Sequence, residues 1–220
     1  MNDILLFHKY GIRQVYEMYT LFGNDNFLTR ALTKLADIFC LSVLWLLCSV
    51  PIITIGAANS ALYFSVNKAI RLDGGGIWST FWSSFLGNFK KATIAWIVAV
   101  VVMVVLIANC YCAYWMYSEG SNTALIMVIP IVLLVMTLFT LCFLFPYISR
   151  FEDPIIVAIK NCFRIAHSNI GSSFLLCVIF GIALVGSVLI PMGIFIFPAG
   201  CVWIACFIIE NIFGKIRAIM

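Results

Sequence analysis

The run from Ile38 to Val50 carries no charge but holds only 13 residues. A membrane-crossing helix needs about 20, so the pattern predicts a helix that begins near Leu32. Lys34 and Asp37 then lie close to the interface, three residues apart and able to face each other. A second uncharged run, Pro51 to Val66, follows at once and contains Asn59. The two predict a transmembrane hairpin, with one helix arriving at Val50 and the next leaving from Pro51. Proline suits the first turn of a helix, where the amide it lacks has no intrahelical partner.

The Asp73-Gly74-Gly75-Gly76 stretch is a break, and no Gly-Lys-Ser/Thr follows to make it a phosphate loop. Beyond it Trp78, Phe81, Trp82, Phe85 and Phe89 recur at spacings of three and four, so they share one helical face. With Lys90 and Lys91 at its end, this face suits the headgroup layer, and Trp78, Trp82 and Phe85 are expected at the membrane–cytosol interface. Ala92 to Trp115 reads as a clear span ending in Tyr111, Tyr114, Trp115 and Tyr117, and Ala124 to Ile148 as its return. Pro154 opens an amphipathic helix with Lys160, Arg164 and His167 on its polar side. Gly171 to Ile209 is almost wholly apolar and, at about 60 Å as one helix, must fold into two. Pro191-Met192-Gly193 and Pro198-Ala199-Gly200 mark where it turns.

The elements add up to an all-α polytopic membrane helix bundle. It has six transmembrane helices at about 32–50, 51–67, 92–116, 124–148, 171–190 and 194–212, with five as the alternative. Residues 1–30 form an amphipathic N-terminal segment, 31–220 a single domain, and 68–91 and 149–170 its cytoplasmic connectors. Charge decides between six and five. All 13 Lys and Arg fall at the N-terminus, at 68–91, at 150–164 and at 215–217, and these lie on one side only if the hairpin forms. The positive-inside rule then puts both termini in the cytoplasm of a cell membrane.

Composition agrees with a lipid setting. Of 220 residues, 64% are hydrophobic and 10% charged, against about 25% charged in a soluble domain, and mean hydropathy is +1.12. Nine cysteines are scattered through apolar runs without a CxxC or a zinc-ligand spacing, and read as packing residues. Asp37 and Glu210 are the only candidates for an intramembrane ionisable site, and each lies about one turn from an interface, with Lys34 and Lys215 as the nearby partners. No nucleophile-elbow or zincin motif occurs, so no enzyme, metal or cofactor is expected.

The stretch Trp45 to Arg71 also carries a resemblance. W-L-L-C-S-V-P-I-I-T-I-G-A-A followed by A-L-Y-F resembles the signature of the YesL-like family of small bacterial membrane proteins of unknown function. Asn88-Phe89-Lys90, Phe145-Pro146, Pro154 and Lys160-Asn161 agree with it, over roughly residues 30 to 170. The chain departs at Ser42, where many members carry Asn. The family assigns no catalytic residue. It does resemble components of carbohydrate-uptake systems, which implies an ABC-type sugar importer as partner.

From the residues themselves, Pro51, Thr54, Gly56 and Asn59 form the candidate structural motif. Thr54 can satisfy backbone groups freed at the break, and Gly56 lets another helix come close. The hairpin arm is expected to pack against residues 92–148 and to hold the connectors for a partner. Three readings stand: an accessory or regulatory membrane subunit, a small transporter or channel with residues 51–67 along its path, and a structural or lipid-interacting protein. The lipid bilayer is a partner in all three, and nucleic acid in none.

Overall fold

The structure, a computed structural model, describes residues 27–118 and 124–217. Among them are seven α-helices and no strand. The amphipathic segment expected over residues 1–30 lies outside the described residues, except that α1 already begins at Phe27.

Helix α1 (Phe27–Ser49) runs to the hairpin turn. Proline disfavours a helical conformation in the residue before it, and the helix stops ahead of Val50-Pro51. A single 3-10 turn, Ile52–Thr54, follows, and α2 (Ile55–Ser65) starts only after it. The second arm thus begins four residues later than its proline suggests. A π-helical segment, Val66–Arg71, extends α2, making 17 residues in all. Asp73 (φ 49°) and Gly75 (φ 111°) take left-handed backbone that turns the chain into the next helix.

Helix α3 spans Ile77–Ser118, 42 residues without a break. The sequence pattern separated an interfacial helix from a span at about residue 91. The structure joins them into one rod of about 63 Å, roughly twice the hydrocarbon thickness. Helix α4 (Ala124–Arg150) returns beside it and carries Pro130 and Pro146 internally. Then come α5 (Ile155–Ser168), α6 (Ile170–Leu189), a 3-10 turn at Pro191–Phe195, and α7 (Phe197–Arg217). At that last turn the Phe197 ring lies against Gly186 and Gly193. A Cβ on Gly186 would come within 2.8 Å of the ring, and one on Gly193 would overlap it.

Among the described residues, five helices are long and apolar enough to cross a membrane: Ala31–Ser49, Ile77–Ser118, Val128–Arg150, Ile170–Leu189 and Phe197–Lys215. The arm expected as the sixth span is the short α2, and it sits inside the bundle. It packs mainly against α3 and also meets α1, α4 and α7. Gly56, Ala57, Ala58, Ser60, Ala61, Leu62, Tyr63 and Ser65 are all buried. Small residues suit this place, because close approach of backbones holds helices together in lipid. Its far end returns to the level where α1 began, since Lys34 reaches Asp73 at 3.8 Å. Lys34 therefore pairs across the hairpin with Asp73, while its charge also acts on the nearby Asp37.

Outside this core the helices are apolar on their open faces. On α3 every buried residue except Ala113 precedes Val100. Beyond it Val101, Val104, Ile107 and Tyr111 stand exposed, as do Ile129, Ile131 and Leu133 on α4. In a bilayer such side chains meet lipid tails.

Candidate functional site

The polar chemistry of the bundle gathers at one carboxylate. Glu210 lies near the end of α7 with its side chain 9% exposed. Its Oε1 accepts from the Tyr63 hydroxyl at 2.9 Å and from Asn67 Nδ2 at 3.0 Å. Its Oε2 accepts from Arg150 Nη2 at 2.8 Å and lies 4.0 Å from Arg71 Nη1. Arg71 also donates to Asn67 Oδ1 at 3.0 Å and stacks over the Phe207 ring at 5.6 Å. Both carboxylate oxygens are thus engaged, which a buried charge requires. The cluster ties the ends of α2, α4 and α7 together.

This corrects the pairing read from sequence. The partners of Glu210 are Arg150 and Arg71, not Lys215. The sequence pattern does not mark Tyr63, Asn67, Arg71 and Arg150 as a site, although it holds a signal. One carboxylate and two guanidinium groups each stand where a long apolar run ends.

A second set of contacts shapes the connector after α4. The Tyr147 hydroxyl donates to Asp153 Oδ2 at 2.5 Å and accepts from Asn161 Nδ2 at 2.9 Å. Its ring stacks on Phe151 with centroids 4.5 Å apart, and Phe213 of α7 meets both rings edge-on. Lys91 Nζ donates to the Glu152 carbonyl at 3.0 Å, joining the two connectors. Cys162 lies buried under this connector on α5, and burial pushes its thiol up, as suits a packing residue.

At the opposite end of α2, the Thr54 hydroxyl lies 2.6 Å from the Cys48 carbonyl and 2.7 Å from that of Pro51. It thereby serves carbonyls left open where α1 stops. Trp96 Nε1 donates to the Ile52 carbonyl at 2.8 Å. A Cβ on Gly56 would overlap the Ala92 carbonyl oxygen and come within 2.6 Å of Trp96 Cβ, so only glycine allows this crossing of α2 and α3. Asn59 Oδ1 accepts from Trp45 Nε1 at 2.7 Å, joining α2 to α1. Ser42, the position of departure from the resemblance, is fully buried, and its hydroxyl accepts the Ala199 amide at 3.2 Å. That amide is in the first turn of α7, where no helical carbonyl serves it.

The aromatic stripe divides. Trp78 stays exposed and Trp82 half-buried, whereas Phe81 and Phe85 belong to the core. The rings of Trp78, Trp82, Phe85 and Phe89 follow one another edge to face at 5.5–6.0 Å. Phe85 is thus a packing residue of the bundle. Its place follows from α3 lying along α2 from its first turns, which leaves one side of the stripe covered. Lys90 remains exposed beside it.

Two half-open apolar cavities flank α2. One, of about 440 Å³, is bounded by Tyr63, Cys142, Pro146, Phe180 and Val202. The other, of about 370 Å³, lies between Trp45, Leu62, Ser187 and Cys201. Asn59, Phe180, Leu184 and Val202 border both.

No curated protein and no solved structure matches the chain. The hairpin, the Gly56 crossing and the α2 end of the Glu210 cluster fall within a segment that does match, and Arg150 and Glu210 fall outside it. Residues 38–110 match the family model described as a protein of unknown function, DUF624, which is the YesL-like family, and over that segment the chain is similar to it.

Proposed function

We propose that this protein is a non-catalytic component of a bacterial cell membrane that serves as an accessory or regulatory subunit of an ABC-type carbohydrate-uptake system. The observation that carries a structural role for the charged cluster is the closed set of bonds around Glu210. A carboxylate used in proton or ion movement needs a free position, whereas this one spends both oxygens on holding three helices. Its effect is to fix the connectors. Arg71 ends α2 ahead of one connector, and Arg150 ends α4 ahead of the other. Helix α5 then presents Ile156 and Phe163 on an exposed face, beside Lys160 and Arg164, as a surface for a partner or for headgroups. The uptake system as partner rests on the YesL-like resemblance. The cytoplasmic placement of both termini rests on the one-sided basic residues, and the Lys91–Glu152 contact between the two connectors supports it.

The test is affinity purification of the full chain in mild detergent, with identification of what co-purifies. Recovery of the permease or ATPase subunits of a sugar importer supports the reading, and recovery of the chain alone at stoichiometric purity sinks it. One observation favours the small-transporter reading instead. Helix α2 is an interior helix, yet its Asn59 and Tyr63 border the cavities. Substrate-dependent flux by the purified protein in liposomes would establish that reading.

A further inference from the structure

The larger cavity and the Glu210 cluster share a wall. Tyr63 lines the cavity and also donates its hydroxyl to Glu210. On α4 the lining residues Leu138, Cys142 and Pro146 recur every fourth position, and the next position in that row is Arg150. Positions four apart lie on one helical face, so the apolar row leads to the guanidinium. From Leu138 to Arg150 the helix rises about 18 Å. The far wall comes from α6, through Phe180 and Gly181. The groove is open on one side, and its volume of about 440 Å³ falls within the range of small-ligand sites, about 300–1,000 Å³.

The charge of the cluster beyond the Tyr63 wall is unbalanced. Arg150 and Arg71 both lie within 4.0 Å of the same Glu210 oxygen, leaving one positive charge in excess. Their side chains are 25% and 29% exposed, and each guanidinium keeps donors beyond the ones used here. Arg150 also ends a helix long and apolar enough to cross a membrane, and the ends of such helices meet the headgroup layer. Guanidinium groups match phosphate oxygens in geometry as well as charge. We propose that this groove binds one anionic phospholipid, with an acyl chain along the Leu138–Pro146 row and its phosphate on Arg150 and Arg71. The lipid then becomes part of the joint between α2, α4 and α7, and the joint responds to the charge of the surrounding leaflet.

Native mass spectrometry of the full chain in detergent tests this, by titration with phosphatidylglycerol and phosphatidylcholine of identical acyl chains. The first phosphatidylglycerol should bind at least about tenfold more tightly. Gly181→Phe should weaken it about tenfold or more by filling the groove. A Cβ at Gly181 meets nothing within 4 Å, so the new side chain starts from open space. Gly87→Phe on α3, equally open but outside the groove, should bind as wild type does. Arg71→Gln leaves the Arg150–Glu210 pair intact and removes the excess charge, so it should bring the two lipids to similar affinity. Equal binding of both lipids by wild type would overturn the proposal. So would a Gly181→Phe protein that holds phosphatidylglycerol as wild type does, or an undiminished preference in Arg71→Gln.

Discussion

At Glu210 a single side chain holds three helices, and its removal has a calculable cost. Breaking a buried ion pair by deleting one partner costs about 3–5 kcal/mol, whereas replacing the whole pair with apolar groups is often neutral. Both arginines are about a quarter exposed, so water screens part of the loss, and Glu210→Gln should fall at the low end of that range. Melting in detergent should show it clearly less stable than wild type, and Arg150→Met with Glu210→Met should recover part of the loss. A double variant no better than the single one would mean that the hydrogen bonds from Tyr63 and Asn67 matter more than the charge. Gly56 and Asn59 give a second contrast. Gly56→Leu must displace the Ala92 carbonyl, and overpacking costs about 1–3 kcal/mol. Asn59→Ala loses the hydrogen bond from Trp45, worth about 0.6 kcal/mol on average between membrane helices. Gly56→Leu should therefore melt lower than Asn59→Ala and lose any co-purifying partner. If instead Gly56→Leu behaves as wild type and Asn59→Ala abolishes function, α2 lines a transport path.

Among elements, the contact of α4 with α6 is the most directly testable. Cys142 and Cys177 face each other across it with sulfurs 3.6 Å apart. A chain whose other cysteines are replaced should form this one intramolecular disulfide under a membrane-permeant oxidant, detected as a reducible link after cleavage between the helices. Failure to cross-link, while the protein remains folded, would contradict the packing. The continuity of α3 belongs to this scale too. Its first half was legible as an amphipathic helix and its second as a span. Nothing between Phe89 and Ala92 breaks helical geometry, since neither Gly nor Pro occurs there. Their union was therefore open to reading, but the change from aromatic to aliphatic residues obscured it.

For the whole molecule, the arrangement of charge makes a topological prediction. Cysteines placed singly at positions 75 and 155 of a cysteine-free chain should label only from the cytoplasmic face, and one at 120 only from outside. Labelling of position 20 from outside alone would overturn the hairpin topology. The structure adds a reason to expect one-sidedness. Lys34 meets Asp73, Lys91 meets the Glu152 carbonyl, and Arg71 and Arg150 share Glu210, so the ends bearing basic residues are drawn together.

The membrane class, the turns at Pro51 and Pro191, and the hairpin inferred from charge all follow from the chain read in order. These rest on local signals: run length, helix-breaking residues, and the side on which Lys and Arg fall. Which apolar residues face one another was not legible, for a physical reason. Lipid tails are as apolar as the bundle interior, so hydropathy alone does not separate Phe85 in the core from Val101 outside it. Nor does periodicity join Tyr63 to Glu210 across 147 positions, or Arg150 to Glu210 across 60. Only the tertiary structure decided those pairings, by bringing the short α2 into the centre and closing α4 and α7 around its charged end.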